Sequence, residues 1–302
     1  MPRRAAMIDV EAVFCDVDDV CQVFLPVWQR QLLSSGERRR QRASRLTLSE
    51  ILTIRIAFHP SQYRTFKAFD LLHLSQHARG EFPDLLSDTR FVALIPRALM
   101  PLCVSLKPRH GTPTGIAFTD STTWVVCHHR RIHRHQVFKQ IARRGQNAMG
   151  WLFGFTLHLV VNDHGEWLAC RITPGNVDDR QPVPDLTHGV TGKLIADRGD
   201  MSQRLFDELW ERGLHLITKI RKNMQNKLMP LMDKLLLRKR AIIESINDQL
   251  KNIQQIEHTR HRSVINAMVN VLAALVADTF QPTKPSLNLT KNELILLNSK
   301  DS

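Results

Sequence analysis

Cysteine is scarce in this sequence, and its spacing does not fit a disulfide framework. The 302-residue chain has 5 cysteines, and no two of them form a C-x-x-C pair; they are Cys15, Cys21, Cys103, Cys127 and Cys170. An odd number without paired spacing argues against a small secreted domain held together by disulfides and fits a reducing compartment better. We therefore expect no structural disulfides.

A late apolar run long enough to span a membrane is missing as well. The most apolar late stretch, Met268 to Ala277, is about half the length that a membrane-spanning helix needs. The first residues, MPRRAAMIDVEAVF, are basic but contain no sustained apolar core, so they do not predict a signal peptide. These two absences predict a soluble cytoplasmic protein that has no membrane partner.

Acidic residues are too few to balance the basic ones. The chain has 42 Lys and Arg against 29 Asp and Glu, which gives a net charge of +13 and a pI of about 10.0. A balance of this kind indicates a polyanionic partner such as DNA, because contacts to many phosphates supply affinity without reading sequence. The alternative is a basic surface that serves solubility or binds anionic lipid. Because 43% of the residues are hydrophobic, the chain is expected to be globular.

The first part of the chain, residues 1–107, is predicted to be a helical domain. Apolar residues recur at helical spacing in 46–58, 64–77 and 91–107. Thr47 and Glu50, three positions apart, predict a capping box at the start of the first of these helices. The segment contains no helix-turn-helix signature, so DNA binding and a dimerisation or accessory role are equally compatible with it.

The sequence after the KPRHGTP linker changes character and predicts a second domain over residues 114–280. Strand-like runs at 115–123, 153–161 and 167–172 are followed by a strand, a helix and a strand over 193–220, and the turn at 162–165 predicts a hairpin. A helix from Lys234 to Asn252 and another from His261 to Phe280 complete the pattern. This order predicts an α/β fold with a ribonuclease H-like, mixed five-stranded sheet flanked by helices. Residues 281–302 are predicted to be a flexible tail.

Three acidic residues are candidates for a catalytic site because of their positions. Asp120 lies in the middle of the first predicted strand, on the same face as apolar residues, where a charge is costly unless it is paired. Asp197 ends an apolar strand, a common place for the active sites of α/β sheets. Glu244 lies on a basic helix, where an ordinary salt bridge to Arg240 four residues earlier is the simpler interpretation of the helix by itself.

Together, these three acids favour a metal site over a set of unrelated ion pairs. Three carboxylates that converge across such a sheet repel one another and need cations. Hard oxygen ligands suit Mg²⁺, or alternatively Mn²⁺. Two such ions, roughly 4 Å apart, would activate a water or a 3′-hydroxyl and would stabilise the leaving oxygen of a phosphoryl transfer.

The chain resembles the bacterial insertion-sequence transposases that have a DDE domain, and is most similar to the insertion sequence 982 group. The resemblance is carried by FTDSTTW, GWLFGFTLHLVVNDHGE, ITPGNVDDR, LIADRGD and RKRAIIESINDQLK. The last motif matches the pattern Y-x2-R-x3-E-x6-K at Arg240, Glu244 and Lys251, but Leu237 replaces the tyrosine. The resemblance covers residues 7 to 280 and is densest between 115 and 265.

This resemblance implies a nuclease and strand transferase that acts at the terminal inverted repeats of its own element and joins them to target DNA. Asp120, Asp197 and Glu244 would be its metal ligands, and Arg240 and Lys251 would lie near DNA phosphates or terminal bases. The family usually works as a dimer or larger assembly on DNA. Two alternatives stay open: a stand-alone metal-dependent nuclease, and a catalytically inactive DNA-binding copy.

A basic segment follows the first predicted strand and is a second candidate for DNA contact. The run CHHRRIHRH at 127–135 invites a zinc interpretation, but no second cysteine pair follows, and the neighbouring cations oppose a dication. A basic loop facing DNA fits better. Its candidate DNA-binding residues are Arg130, Arg131, Arg134, Arg143 and Arg144. Asp178, Asp179 and Asp200 could support the acidic site, although turn and cap roles are commoner for such residues.

Overall fold

The structure is a computed structural model that describes residues 8–36, 44–147, 150–197, 202–218, 230–257 and 261–287. Its contacts divide the chain into two compact units. The first comprises Met1–Arg109 and Gln249–Pro282, and the second comprises His110–Asp248 and Thr283–Ser302. The predicted domains, residues 1–107 and 114–280, stay predictions; in this division residues 249–282 group with the N-terminal helices.

The described part of the first unit is helical. Its α-helices are α1 (Val10–Ser34), α2 (Leu48–Phe58), α3 (Phe66–Phe69), α4 (Ser75–His77), α5 (Asp88–Leu94), α6 (Leu99–Leu106) and α11 (Val264–Thr279). A π-helical turn, Asp70–Leu74, joins α3 to α4. The capping box at the start of α2 is present: the Thr47 side chain accepts from the Glu50 amide, and the Glu50 carboxylate accepts from the Thr47 amide. The helices predicted around 46–58, 64–77 and 91–107 are therefore confirmed.

One segment of the first unit has the length and composition of a membrane span. Residues Asp88–Arg109 form 22 consecutive helical residues, and 39% of their most apolar window is buried. Short 3₁₀ turns interrupt this segment at Ile95–Ala98 and Lys107–Arg109. The core helices of soluble proteins can have the same length and composition, so one such segment is weak evidence for a membrane span. The absence of a membrane partner stays a prediction.

The second unit is built on a mixed sheet. Its strands are β1 (Ile116–Cys127), β2 (Arg143–Asn147), β3 (Gly150–Asn162), β4 (Trp167–Pro174), β5 (Gly192–Ile195) and β6 (Leu214–Ile217). Strands β1, β3 and β4 pair antiparallel in a meander, while β5 is parallel to both β1 and β6. The order β4-β3-β1-β5-β6 with these directions is that of a ribonuclease H-like sheet. The predicted fold class and the predicted hairpin at 162–165 are confirmed.

Among the described residues the sheet has six strands where five were predicted, and the additional strand is β2. It pairs with the first half of β3, on the same edge that β4 occupies further along. The sequence RRGQN has no alternation of apolar residues, so its pattern did not reveal a strand. Gly145 is required there, because a Cβ would lie 1.7 Å from the carbonyl oxygen of Gly175. Arg143 and Arg144 therefore lie on a strand and not in a loop.

The helices of the second unit flank the sheet. They are α7 (Val183–Leu186), α8 (Gln203–Glu211), α9 (Leu231–Lys239) and α10 (Ala241–Asn252), the last of which crosses the division between the units. Helices α7 and α8 contribute to a buried apolar cluster that contains Ala117 of β1 and Leu194 of β5. Because successive strand residues point to opposite faces, Ala117 and Asp120 project from opposite sides of the sheet.

The single helix predicted from Lys234 to Asn252 is wrong: the chain forms α9 and α10 with a break at Arg240. No glycine or proline marks the break, so the sequence pattern did not show it. The Arg240 side chain is buried and contacts Asp120 on β1 and Asp197 just after β5 as well as Glu244 on α10. Local helix propensity does not register the two contacts to distant aspartates. Leu237 lies on α9 and cannot be placed beside Glu244 by helical spacing.

Candidate active site

Asp120 lies on the central strand β1, between antiparallel β3 and parallel β5. Its side chain is 19% exposed. Burial raises the pKa of Asp120, and the charge of Arg240, the Ser121 amide and the hydrogen bonds from Arg240 and Asn247 oppose that rise. A carboxylate in this position is costly unless cations or donors compensate it, as its neighbours do.

Asp197 and Glu244 reach the same region from two other elements. Phe118 of β1 lies opposite Ile195 of β5, and Asp120 and Asp197 each follow two residues later. The parallel register therefore brings these two aspartates next to each other. Glu244 lies in the first turn of α10. Both of these later acids are about half exposed, with side-chain values of 51% for Asp197 and 56% for Glu244.

The guanidinium of Arg240 brings the three acids together. Its Nη2 lies 3.1 Å from Asp120 Oδ1. Its Nη1 lies 3.2 Å from Asp197 Oδ1 and 3.1 Å from Glu244 Oε1. The side chain of Arg240 is 9% exposed. Arg240, a predicted DNA contact, is thus buried among the acids, and all three acids of the predicted triad contact its guanidinium.

Asn247 is a member of this cluster that the sequence analysis missed. Its Nδ2 donates to Asp120 Oδ2 over 2.8 Å, and the side chain is buried. Residues 240, 244 and 247 follow one another at helical spacing, which was the available signal. Its Oδ1 is buried and finds no partner among the residues that the structure describes. A donor that holds one oxygen of Asp120 fixes the direction in which the other oxygen faces.

The chemistry of the cluster fits divalent cations. All three acids offer hard oxygen ligands, and if all are ionised they exceed the single guanidinium by two negative charges. Within the described ranges, however, no three acidic, histidine or cysteine side chains lie close enough together to hold a metal ion as they stand. The residues therefore suit a metal, but the present conformation is one in which Arg240 lies between them.

The predicted basic segment after β1 is exposed. Residues His129–Arg134 form a 3₁₀ turn, and the five candidate arginines there and on β2 are all solvent-exposed: Arg130, Arg131, Arg134, Arg143 and Arg144. The guanidinium carbon of Arg144 lies 4.4 Å from the ring centroid of Trp151, which is 55% exposed. This surface offers cations and one aromatic face to solvent. A further candidate, Lys251, pairs with Glu257 over 2.9 Å.

The neighbouring aspartates that were considered as support for the site have other contacts. Asp178 binds its near neighbour Arg180, and that hydrogen bond lowers the pKa of Asp178 to about 2. Asp179 accepts from Ser121 Oγ over 2.9 Å. Because Ser121 follows Asp120 on β1, this contact lies on the opposite face of the sheet. Asp200 lies outside the described residues.

A ribonuclease H-like sheet with one acid on β1, one just after β5 and one on a following helix defines the class of DDE catalytic domains. The chain matches the family described as Transposase DDE domain over residues 110–264, just over half of its length. It therefore belongs to the DDE transposase family, as the sequence analysis predicted. None of the curated proteins matches the chain significantly.

Several solved structures of transposases are similar to the chain at low identity. The piggyBac transposase synaptic complex with hairpin DNA has 11% identity and a TM-score of 0.35, over 76% of this chain and 56% of that one. The Mos1 strand transfer complex has 10% identity and a TM-score of 0.24, over 76% and 82%. The Mos1 mariner paired end complex with Mn has 10% identity and a TM-score of 0.23, over 88% and 93%. The chain thus spans little more than half of the piggyBac chain.

Proposed function

We propose that this chain is a DNA transposase that binds the terminal inverted repeats of an insertion sequence and catalyses metal-dependent strand cleavage and strand transfer. One observation carries the proposal: Asp120, Asp197 and Glu244 all contact the guanidinium of Arg240 on a ribonuclease H-like sheet. Membership of the DDE transposase family supports it independently. The motifs around these acids further favour the bacterial insertion sequence 982 group.

The three carboxylates would hold two divalent ions, Mg²⁺ by availability or Mn²⁺ as an alternative. When bound, such ions activate a water or 3′-hydroxyl and stabilise the leaving oxygen of an in-line transfer. The protein would supply the oxygen ligands and keep them directed at the reacting phosphate. Asn247 would keep Asp120 oriented, because its amide already holds Oδ2.

The DNA would lie along the basic surface of the second unit. The exposed arginines of the 3₁₀ turn and of β2 carry charges that suit a phosphate backbone. Lys251 would contribute contacts near the cleavage point, and so would Arg240 once it has left the three acids that it now contacts. Because transposition joins two ends, we further propose a dimer or larger assembly on DNA, in the bacterial cytoplasm and associated with the nucleoid when bound.

Cleavage of DNA that carries the element's ends tests this function. With Mg²⁺, the wild-type protein is expected to release 3′ ends, and EDTA is expected to abolish cleavage. Asp120→Asn, Asp197→Asn and Glu244→Gln should each lower the rate by at least about a hundredfold, because each removes a charged ligand. Asp185→Asn, at an exposed acid of α7, serves as the control and should cleave like the wild type.

The same assay separates the alternatives. Joining of a supplied 3′-hydroxyl end to target DNA identifies a transposase, whereas a stand-alone nuclease gives hydrolysis without joining. Intact DNA binding without wild-type cleavage would identify an inactive copy. Cleavage that survives substitution of one acid would remove that residue from the proposed metal site.

A further inference from the structure

Arg240 occupies the space that the three acids enclose. Its Nη1 lies 3.2 Å from Asp197 Oδ1 and 3.1 Å from Glu244 Oε1, so one terminal nitrogen with its two N–H groups contacts both of these carboxylates. Its Nη2 takes the third acid, Asp120, at 3.1 Å. Its Nε is buried and has no partner within the described part of the chain. All of the ion pairs that the described residues make with this guanidinium therefore go to the proposed metal ligands.

This arrangement compensates charges that would otherwise repel one another. Without the guanidinium, three carboxylates would face each other. The most buried of them, Asp120, would keep the amide of Asn247 as its one side-chain donor among the described residues. Removing one partner of a buried ion pair is costly because the remaining charge stays desolvated. The guanidinium of Arg240 therefore supplies positive charge to all three carboxylates.

A metal ion and the guanidinium cannot share this position. A dication held by Asp197 and Glu244 would need the oxygens that Nη1 now contacts, and it would repel the nearby guanidinium. The three acids also stand too far apart to form a metal site in this conformation. For them to converge on metal, Arg240 has to withdraw.

We propose that Arg240 is an internal counter-ion, which holds the three carboxylates in the metal-free protein and competes with divalent cations for them. This inference rests on the proposed function, because it assigns the acids to metal. Arg240 is then a positioning residue: it keeps the site assembled without metal and leaves when metal enters. Released from the acids, its guanidinium becomes available to a DNA phosphate, the partner that the sequence motif implies.

Binding of Mn²⁺ to the full-length protein without DNA tests the competition directly. Free Mn²⁺ is measured by electron paramagnetic resonance for the wild type, Arg240→Gln and Arg238→Gln. If the guanidinium competes, Arg240→Gln should bind Mn²⁺ at least about tenfold more tightly, because the acids lose a competing charge. Arg238→Gln removes an equal charge from an exposed position two residues earlier and should bind as the wild type does.

Thermal unfolding gives a second readout that does not depend on catalysis. In EDTA, Arg240→Gln should melt several degrees below the wild type, and Mn²⁺ should restore most of this loss, since the metal replaces the missing cation. The wild type should respond less to Mn²⁺. If Arg240→Gln is unfolded with and without Mn²⁺, Arg240→Lys is used, and it should bind Mn²⁺ several-fold more tightly than the wild type because an ammonium bridges fewer oxygens.

Two other results lead to different conclusions. Unchanged or weaker Mn²⁺ binding by Arg240→Gln and Arg240→Lys would overturn the competition while leaving the metal site intact. If the protein binds no Mn²⁺, or if Asp120→Asn binds Mn²⁺ as the wild type does, the proposed metal site itself is overturned. The proposed competition is then overturned with it. The failure of the inference is therefore distinguishable from the failure of the proposed function.

Discussion

At the scale of single residues, the helical unit contains an unusual buried cluster around Arg55. The Nη2 of Arg55 donates to Asn270 Oδ1 over 2.7 Å, and Arg55 itself is 2% exposed. His59 Nδ1 lies 2.7 Å from the carbonyl oxygen of Gln254. Because a carbonyl can only accept, this nitrogen carries the proton of a neutral ring. Burial, followed by the charge of Arg55, lowers the pKa of His59 from 6.5 to about 3 and that of His261 to about 4.

These histidines should make the protein less stable in mild acid. The unfolded chain takes up protons below pH 6.5, whereas the folded chain resists them until about pH 4 for His261 and about pH 3 for His59. The stabilisation is therefore complete above pH 6.5 and is lost as the pH falls. At pH 5 each histidine should lower the free energy of unfolding by about 2 kcal/mol relative to neutral pH. Urea unfolding at pH 7.5 and 5 measures the difference.

A comparison of variants isolates this effect from other titrating groups. His59→Gln keeps a side-chain donor for the Gln254 carbonyl but cannot be protonated, so its stability should fall less between the two pH values. His188→Gln changes an exposed histidine and should follow the wild type. A His59→Gln variant with the same pH dependence as the wild type would show that His59 does not contribute.

The acidic cluster shows how far residue-level prediction can go. Spacing alone predicted the ion pair between Arg240 and Glu244, and that pair is present at 3.1 Å. The same guanidinium also contacts Asp120 and Asp197, which lie more than 40 positions earlier in the chain. Helical periodicity describes neighbours on one element and contains no information on such distant partners. The same limit explains why Asn247, a donor to β1, was overlooked.

At the scale of secondary structure, the elements with strong local signals were predictable. The capping residues of α2 and the turn between β3 and β4 have side chains that satisfy nearby backbone groups, so a short stretch of sequence contains the whole signal. Strand β2 and the break at Arg240 depend instead on partners elsewhere. β2 exists because its backbone pairs with β3. Local propensity is weak in such cases, and tertiary contacts decide.

The start of the parallel pair β1–β5 depends on a close approach between two glycines. Gly192 has φ +94°, and a Cβ there would lie 2.2 Å from the Gly115 carbonyl oxygen. Gly192→Ala should therefore strain the backbone and push β5 from β1, lowering the free energy of unfolding by about 3 kcal/mol or more. Urea unfolding followed by circular dichroism measures this loss.

Gly189→Ala is the matched control for the close contact. Gly189 has φ +79°, but no atom of the described residues lies within 4 Å of the point that a Cβ would occupy there, so its cost should be the backbone strain alone, about 1 kcal/mol. Equal losses in the two variants would contradict the role of the close approach. The distinction matters for the site, since the register that starts here brings Asp120 and Asp197 together.

At the scale of the whole molecule, part of the net charge of +13 can be assigned to a particular surface. Composition predicted a polyanionic partner but could not say which surface it would meet. The arginines of the 3₁₀ turn and of β2 are all exposed on the second unit, the unit that also contains the acidic cluster. Arg240, by contrast, counts toward the net charge but is buried among acids. The formal charge therefore overstates the charge available to DNA.

The salt dependence of DNA binding tests this surface. Fluorescence anisotropy with a labelled duplex, over roughly 50 to 300 mM salt, gives the slope of log K against log salt. Each lost phosphate contact should reduce the slope by about 0.9, so Arg143→Gln with Arg144→Gln should reduce it by up to about 2. The three substitutions Arg130→Gln, Arg131→Gln and Arg134→Gln should together reduce it by up to about 3.

The control for this experiment removes equal charge from a different place. Arg79→Gln with Arg204→Gln alters two exposed arginines outside the proposed surface, and it lowers the net charge as much as the β2 double variant does. If only the total charge mattered, both double variants would weaken binding equally and with the same slope. A larger loss of slope for the β2 variant would mean that phosphates contact this strand, because counterions are released only where the protein meets the DNA. Equal slopes for the β2 variant and the control would mean that β2 does not contact the DNA. The triple variant of the 3₁₀ turn would then test separately whether that turn does.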